Sequence, residues 1–291
     1  MTYLVAGLRL LAYALTFLLL AGPHWLALNL GRGALAGQAP AWLHRVFLRL
    51  FQVRITVTGT PPAPGEAALV IANHISWLDI PVLGALRPLS FVAKSEIAGW
   101  PVIGTLARLQ RTVFIDRGRK RHTAVVNTEM SRRLRAGDLI VLFAEGTTGD
   151  GTRLLPFRTS LVGAARAAIT DGGLDRVRLQ PLCIAYTRRH GLPLTRAERP
   201  DIAWYGDMEL GPSVKLFFAR GPIDVAVTWG EPIVFAAGTD RKAATALAEA
   251  AVRRALQEAV TGRPPAPAPE MPRADAPVVA APPILIPAAT A

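Results

Sequence analysis

The residues in this chain with chemistry to offer sit where apolar runs end. The run ALVIA leads directly into Asn73-His74-Ile75-Ser76-Trp77-Leu78-Asp79. A histidine at the end of a β-type run stands on a sheet edge, where open α/β folds place their ligands. Asp79 follows five residues later, and on one continuous helix that spacing would point the two side chains about 140° apart. If His74 precedes the helix and Asp79 lies in its first turn, they meet. The carboxylate then accepts a hydrogen bond from Nδ1–H and leaves Nε2 free to act as a general base. A bland reading stands beside this one: a histidine and an aspartate near a helix start also make an ordinary polar cap.

Three more pieces follow in order. RTVFID ends in Asp116-Arg117 and sets a guanidinium at a strand end. DLIVLFA ends in Glu145-Gly146-Thr147-Thr148, and Leu155-Pro156-Phe157-Arg158 follows a glycine-rich loop. VRLQPLCIAY carries Pro181 inside an apolar strand, which suggests a bulge or a strand end beside a site. Taken alone, Arg117 pairs as well with a surface carboxylate as with a ligand, and Glu145 as well caps a helix.

Stepping outward, seven β-type runs (53–59, 67–73, 90–94, 111–116, 138–144, 177–186 and 223–230) alternate with helical stretches at Leu78–Leu86, Lys120–Arg135, Ser160–Thr170 and Arg241–Val260. This rhythm predicts an α/β domain, with a mixed, largely parallel central sheet flanked by helices, over residues 38–260. Residues 1–37 form a hydrophobic membrane segment: from Leu10 to Gly31 there is no charged side chain. That length is enough to cross a bilayer, although Pro23 and His24 allow instead a kinked pair of helices embedded in one leaflet. Arg9 alone precedes the segment, while Arg32, Arg45, Arg49 and Arg54 follow it, which puts the main domain on the cytoplasmic face of the inner membrane. In residues 41–51, Trp42, Leu43, Val46, Phe47, Leu50 and Phe51 share one helical face opposite His44, Arg45 and Arg49. Such a helix suits a headgroup layer, or equally a core-facing surface position. Residues 261–291, with nine prolines and almost no periodicity, read as a disordered tail.

Composition narrows the chemistry. The net charge of +12 favours anionic partners. The basic residues are scattered and no nucleic-acid-binding module is visible, so membrane lipid is the expected partner and nucleic acid is not. Cys183 is the single cysteine, which excludes an internal disulfide and a cysteine-based zinc site and fits a reducing compartment. No two of the five histidines have the HxxxH spacing of a helical metal site, and no metal is expected.

The conjunction of Asn-His-x-x-x-x-Asp, Phe-Ile-x-Arg, Phe-x-Glu-Gly-Thr and a proline-bearing apolar strand, in this order and behind an apolar N-terminus, resembles the glycerolipid acyltransferase family, and 1-acylglycerol-3-phosphate acyltransferases in particular. The likeness spans roughly residues 38–235. The run AWYGDMEL is similar to a bacterial subgroup that includes lyso-ornithine-lipid acyltransferases. The resemblance implies direct transfer of a fatty acyl group from acyl-CoA or acyl carrier protein to the hydroxyl of a lysolipid, with no cofactor. Lysophosphatidate is the first acceptor and lyso-ornithine lipid the alternative. A catalytically silent lipid-binding protein of the same fold is the reading from another class. By the same resemblance His74 is the base and Asp79 its orienting partner. Arg117 binds an anionic group of the acceptor, and Glu145, Gly146 and Thr147 shape the pocket. Lys94 and Arg158, near the corresponding strand ends, are further anion contacts. The family's Phe-Pro-Glu-Gly-Thr-Arg-Ser is altered here, with Ala144 for the proline and Thr148 for the arginine. Losing that arginine leaves Arg153 or Arg158 to hold a phosphate, or an acceptor that carries a carboxylate instead.

Overall fold

The computed structural model describes residues 2–30, 33–115, 120–163, 166, 169 and 174–263. Two helices, α1 (Thr2–Asn29) and α2 (Gly33–Leu50), precede an α/β body. Its strands are β1 (Val53–Thr58), β2 (Ala68–Ala72), β3 (Ser90–Lys94), β4 (Val113–Ile115), β5 (Leu139–Phe143), β6 (Arg176–Arg189), β7 (Leu192–Pro193), β8 (Ile223–Trp229) and β9 (Ile233–Ala236). Its helices are α3 (Asp79–Leu86), α4 (Ile103–Leu109), α5 (Lys120–Arg135), α6 (Leu210–Arg220) and α7 (Arg241–Thr261). The sheet order is β1-β8-β6-β2-β5-β3-β4, with β7 and β9 also pairing on β6. β2 pairs in parallel with both β5 and β6, and β3 with both β5 and β4, whereas β8 and β9 run antiparallel to β6. The sheet is therefore mixed and mostly parallel.

β2 is central, and all five of its residues are fully buried. Strand alternation sends Ala68, Val70 and Ala72 to one face, with α2, α3 and α6. Leu69 and Ile71 go to the other, with α5 and α7. Phe143 of β5 and Tyr186 of β6 belong to the first face. This parity decides which side chains can surround the residue that follows β2.

Pro181 marks neither a bulge nor a strand end. It lies mid-way along β6, where the antiparallel neighbour changes from β9, paired as far as Leu179, to β8, paired from Leu182. Its carbonyl accepts from Gly230 N at 2.9 Å, and the return bond that its nitrogen cannot donate is replaced by the Gln180 side-chain amide, which donates to Gly230 O. The irregularity in β6 falls instead between Tyr186 and Arg188.

α1 runs as one helix through Pro23. It is apolar enough and, at 28 residues, long enough to cross a membrane. Leu4, Leu8, Leu11, Leu15, Leu18 and Trp25 form an exposed stripe along it, while Tyr13 meets Phe47 edge-on and buried His24 bonds the Leu109 carbonyl. α2 differs from the headgroup-layer picture. His44 and Arg45 turn inward: Arg45 Nε donates to Ala85 O at 2.8 Å at the end of α3, and a Cβ on Gly84 would come within 2.3 Å of the His44 ring. Exposed carbonyls at a helix C-terminus attract a cation, so Arg45 is spent on α3, while His44 Nε2 pairs with Gln110 Oε1 at 2.9 Å. Trp42 and Arg49 remain exposed.

The helix expected at Ser160–Thr170 begins as a tight 3-10 turn at Thr159–Val162, and most of its remaining length lies outside the described residues. α7 starts at Asp240, whose carboxylate accepts from Lys242 N, and stops at left-handed Gly262. Residues 264–291, most of the expected tail, lie outside the described residues.

Candidate active site

β2, β5, β3 and β4 run the same way, so the residues that follow them share one edge of the sheet. His74 follows β2, Glu145-Gly146 follows β5, and Lys94 ends β3. Arg117 itself lies outside the described residues; β4, which leads to it, ends at Ile115. With strands about 4.8 Å apart, Lys94 stands roughly 10 Å across the edge from His74.

Asn73 lets the chain leave the sheet without an orphaned backbone group. Its side-chain amide donates to Ile184 O at 2.9 Å and accepts from Ile184 N at 2.8 Å. It thus replaces one more rung of the β2–β6 ladder with a side chain. The backbone then folds around Asp79. Asp79 Oδ2 accepts from Ile75 N at 2.7 Å and from Ser76 N at 3.0 Å, and lies 2.8 Å from His74 Nδ1. Asp79 is the first residue of α3, so the two side chains meet through a turn, as the five-residue spacing requires.

Three contacts fix the histidine from other sides. Its N–H donates to Glu145 Oε1 at 2.7 Å, and its carbonyl accepts from Gly149 N at 2.8 Å. Its ring stacks on Phe143, with centroids 3.8 Å apart and planes 10° from parallel. Nε2 has no hydrogen-bond partner among the described residues, and the side chain keeps 18% of its surface while Asp79 keeps none. An Nδ1–H held by a buried carboxylate leaves the Nε2 lone pair facing out.

Glu145 is placed differently from a pocket-lining group. It is buried, and its second oxygen accepts from Leu155 N at 2.8 Å, so the side chain ties the histidine loop to the loop after β5. Burial pushes its carboxyl up to about 7, against these two N–H bonds and with some help from the Asp79 charge. Gly146 has φ +71°, which a side chain disfavours, and its N–H closes a tight turn onto Phe143 O. The glycine is accounted for by this turn. Thr147, Lys94 and Arg158 are exposed, and Arg158 makes no ion pair among the described residues, although its N–H donates to Ala144 O. Among the described residues there is no group of three or more metal-ligating side chains.

Sequence reasoning did not single out Phe143 and Tyr186, aromatic side chains that touch the pair. Tyr186 closes the run VRLQPLCIAY, and a tyrosine at the end of an apolar strand was the available signal. The adjacency of β6 to β2 was not.

A mixed sheet carrying this histidine–aspartate pair at its edge, together with the order of motifs around it, defines an α/β acyltransferase. Residues 54–185 match the family described as Acyltransferase. The chain is 50% identical over 224 residues, 77% of its own length and 84% of the relative's, to the lyso-ornithine lipid O-acyltransferase of Brucella abortus. It is 36% identical to the 1-acyl-sn-glycerol-3-phosphate acyltransferase of Neisseria meningitidis, over 47% of this chain and 49% of that one. The solved 1-acyl-sn-glycerophosphate acyltransferase of Thermotoga maritima shares the fold, with a TM-score of 0.56 at 19% identity over 89% of this chain and 98% of that chain. The chain belongs to the acyltransferase family. With an apolar α1 on a family that includes membrane-lipid enzymes, it is membrane-associated.

Proposed function

We propose that the enzyme transfers a fatty acyl group from acyl-CoA or acyl carrier protein to the free hydroxyl of lyso-ornithine lipid. The observation that carries the chemistry is the imidazole with Nδ1 bound to buried Asp79 and Nε2 open. Nε2 takes the proton of the acceptor hydroxyl, and the oxygen attacks the thioester carbonyl. The tetrahedral intermediate collapses, the C–S bond breaks as the ester forms, and the imidazolium returns its proton to the leaving thiolate. The thioester is already activated, so no protein nucleophile is required. Cys183 is buried, and burial pushes its thiol up, away from a reactive thiolate.

The acceptor rests on likeness and charge. The sequence put lysophosphatidate first, but the Brucella relative aligns over most of both chains and the Neisseria relative over about half of each. Thr148 removes a family arginine suited to phosphate, and ornithine offers a carboxylate to Lys94, Arg117 and Arg158. α1 anchors the enzyme at the inner membrane with its body on the cytoplasmic side. It works on membrane lipids without a nucleic-acid partner, and with no cofactor beyond the acyl donor. Purified enzyme offered both lysolipids should turn over the ornithine lipid faster. Turnover of lysophosphatidate alone would remove the proposed acceptor and leave the acyl transfer standing.

A further inference from the structure

Asp79 has a second oxygen, and a strand remote in sequence supplies its partner. Tyr186, near the end of β6, donates its hydroxyl to Asp79 Oδ1 at 2.6 Å, and both side chains are buried. Asp79 therefore receives four donors: Tyr186 on Oδ1, and Ile75 N, Ser76 N and His74 Nδ1 on Oδ2. The three on Oδ2 come from the loop that Asp79 itself begins to close. Among the described residues Tyr186 alone ties the carboxylate to the sheet, and it reaches the site because its strand parity places it on the face of α3.

Resting on the assignment of His74 as general base, we infer that Tyr186 is a positioning residue: its hydroxyl fixes the rotation of the Asp79 carboxylate and shares its negative charge, and thereby sets how strongly the imidazole holds a proton. Burial, and then the adjacent Asp79 charge, raise the Tyr186 hydroxyl well above its ordinary value, so it stays a donor throughout the working range and takes no part in proton transfer. A carboxylate with one oxygen left bare in a buried site is more basic and pairs more tightly with an imidazolium. The base would then stay protonated to higher pH.

Tyr186→Phe removes only the hydroxyl. The variant should lose about tenfold in kcat, the size of one hydrogen bond to a charged group, with both KM values unchanged. The acidic limb of its kcat/KM profile should move to higher pH. Stability itself varies with pH through Glu145, so circular dichroism recorded at each pH corrects the limb for the folded fraction. In an Asp79→Asn background the same change should add little, because the group it acts through is gone. An unmoved limb in Tyr186→Phe, or a full additive loss in the Asp79→Asn background, overturns the inference. His74→Ala, measured alongside, separates the two ideas. Full activity there sinks the general base and this role together, whereas an inactive His74→Ala beside a neutral Tyr186→Phe sinks this role alone.

Discussion

The two halves of the site edge are built on opposite terms. Around the His74 loop, Asn73, Asp79 and Glu145 are at most 3% exposed, and every one of their side-chain oxygens is engaged at 2.6–3.0 Å. Toward β5 and β3, Thr147, Arg158 and Lys94 are exposed, and the two cations hold no carboxylate among the described residues. A buried polar network with every partner in place has one arrangement, so the first half defines an imidazole geometry. The second half presents solvent-exposed charges. On the proposed reading, the packed half carries the reaction and the exposed one the choice of acceptor. This is why the family likeness fixed acyl transfer more firmly than it fixed a substrate.

The largest effect should come from the centre of the packed half. His74→Ala should cut turnover by the roughly 10²–10⁴-fold typical of a general base, with an unchanged circular dichroism spectrum. A folded variant that keeps most of its activity would break the division just drawn, since the packed half would then hold nothing essential. Glu145 gives the next effect, and on stability rather than rate. Its carboxyl rises from 4.5 in the unfolded chain to about 7 when folded, so between those values the folded state binds the extra proton. Its contribution is fully present below about pH 4.5 and is lost as pH rises through 7. At about 1.4 kcal/mol per unit, the loss is on the order of 3 kcal/mol. The wild type should therefore lose stability relative to Glu145→Gln across this window in denaturant melts. Parallel curves would show that Glu145 keeps its charge throughout, held by its two N–H bonds.

Much of this division was legible in the residues. The β3 span read as 90–94 is the observed one, and β2, β5 and β8 differ by a residue at each end or less, because buried strands in an α/β fold are bounded by turn residues. The meeting of His74 and Asp79 was legible only as a condition, that His74 precede the helix and Asp79 lie in its first turn, and Asp79 is indeed its first residue. α6 was not read, since Gly211-Pro212 looks like a break. In fact Pro212 is the third residue of the helix, where its missing N–H would have had no intrahelical partner. The inward turn of His44 and Arg45 was equally hidden, because a helical wheel cannot say which neighbour will cover its polar side. Tyr186 needed strand order, which no local pattern carries. Glu145 was read as a pocket wall because a motif names residues without saying which way they face, and burial turned both of its oxygens onto backbone.

The smallest effects should come from the exposed half, and they sharpen the comparison best. Arg158→Ala and Lys94→Ala should each raise the acceptor KM by about three- to tenfold and leave kcat and the donor KM alone, the signature of binding lost equally from ground and transition states. Being solvent-facing, both effects should shrink as ionic strength rises and the Debye length falls below about 10 Å. Arg158→Lys should recover part of the loss if a point charge suffices, and little if a carboxylate is gripped by the guanidinium fork. A fall in kcat at unchanged KM in either variant would place that cation against the reacting atoms, and the boundary between a packed half that reacts and an exposed half that selects would have to be moved to include it.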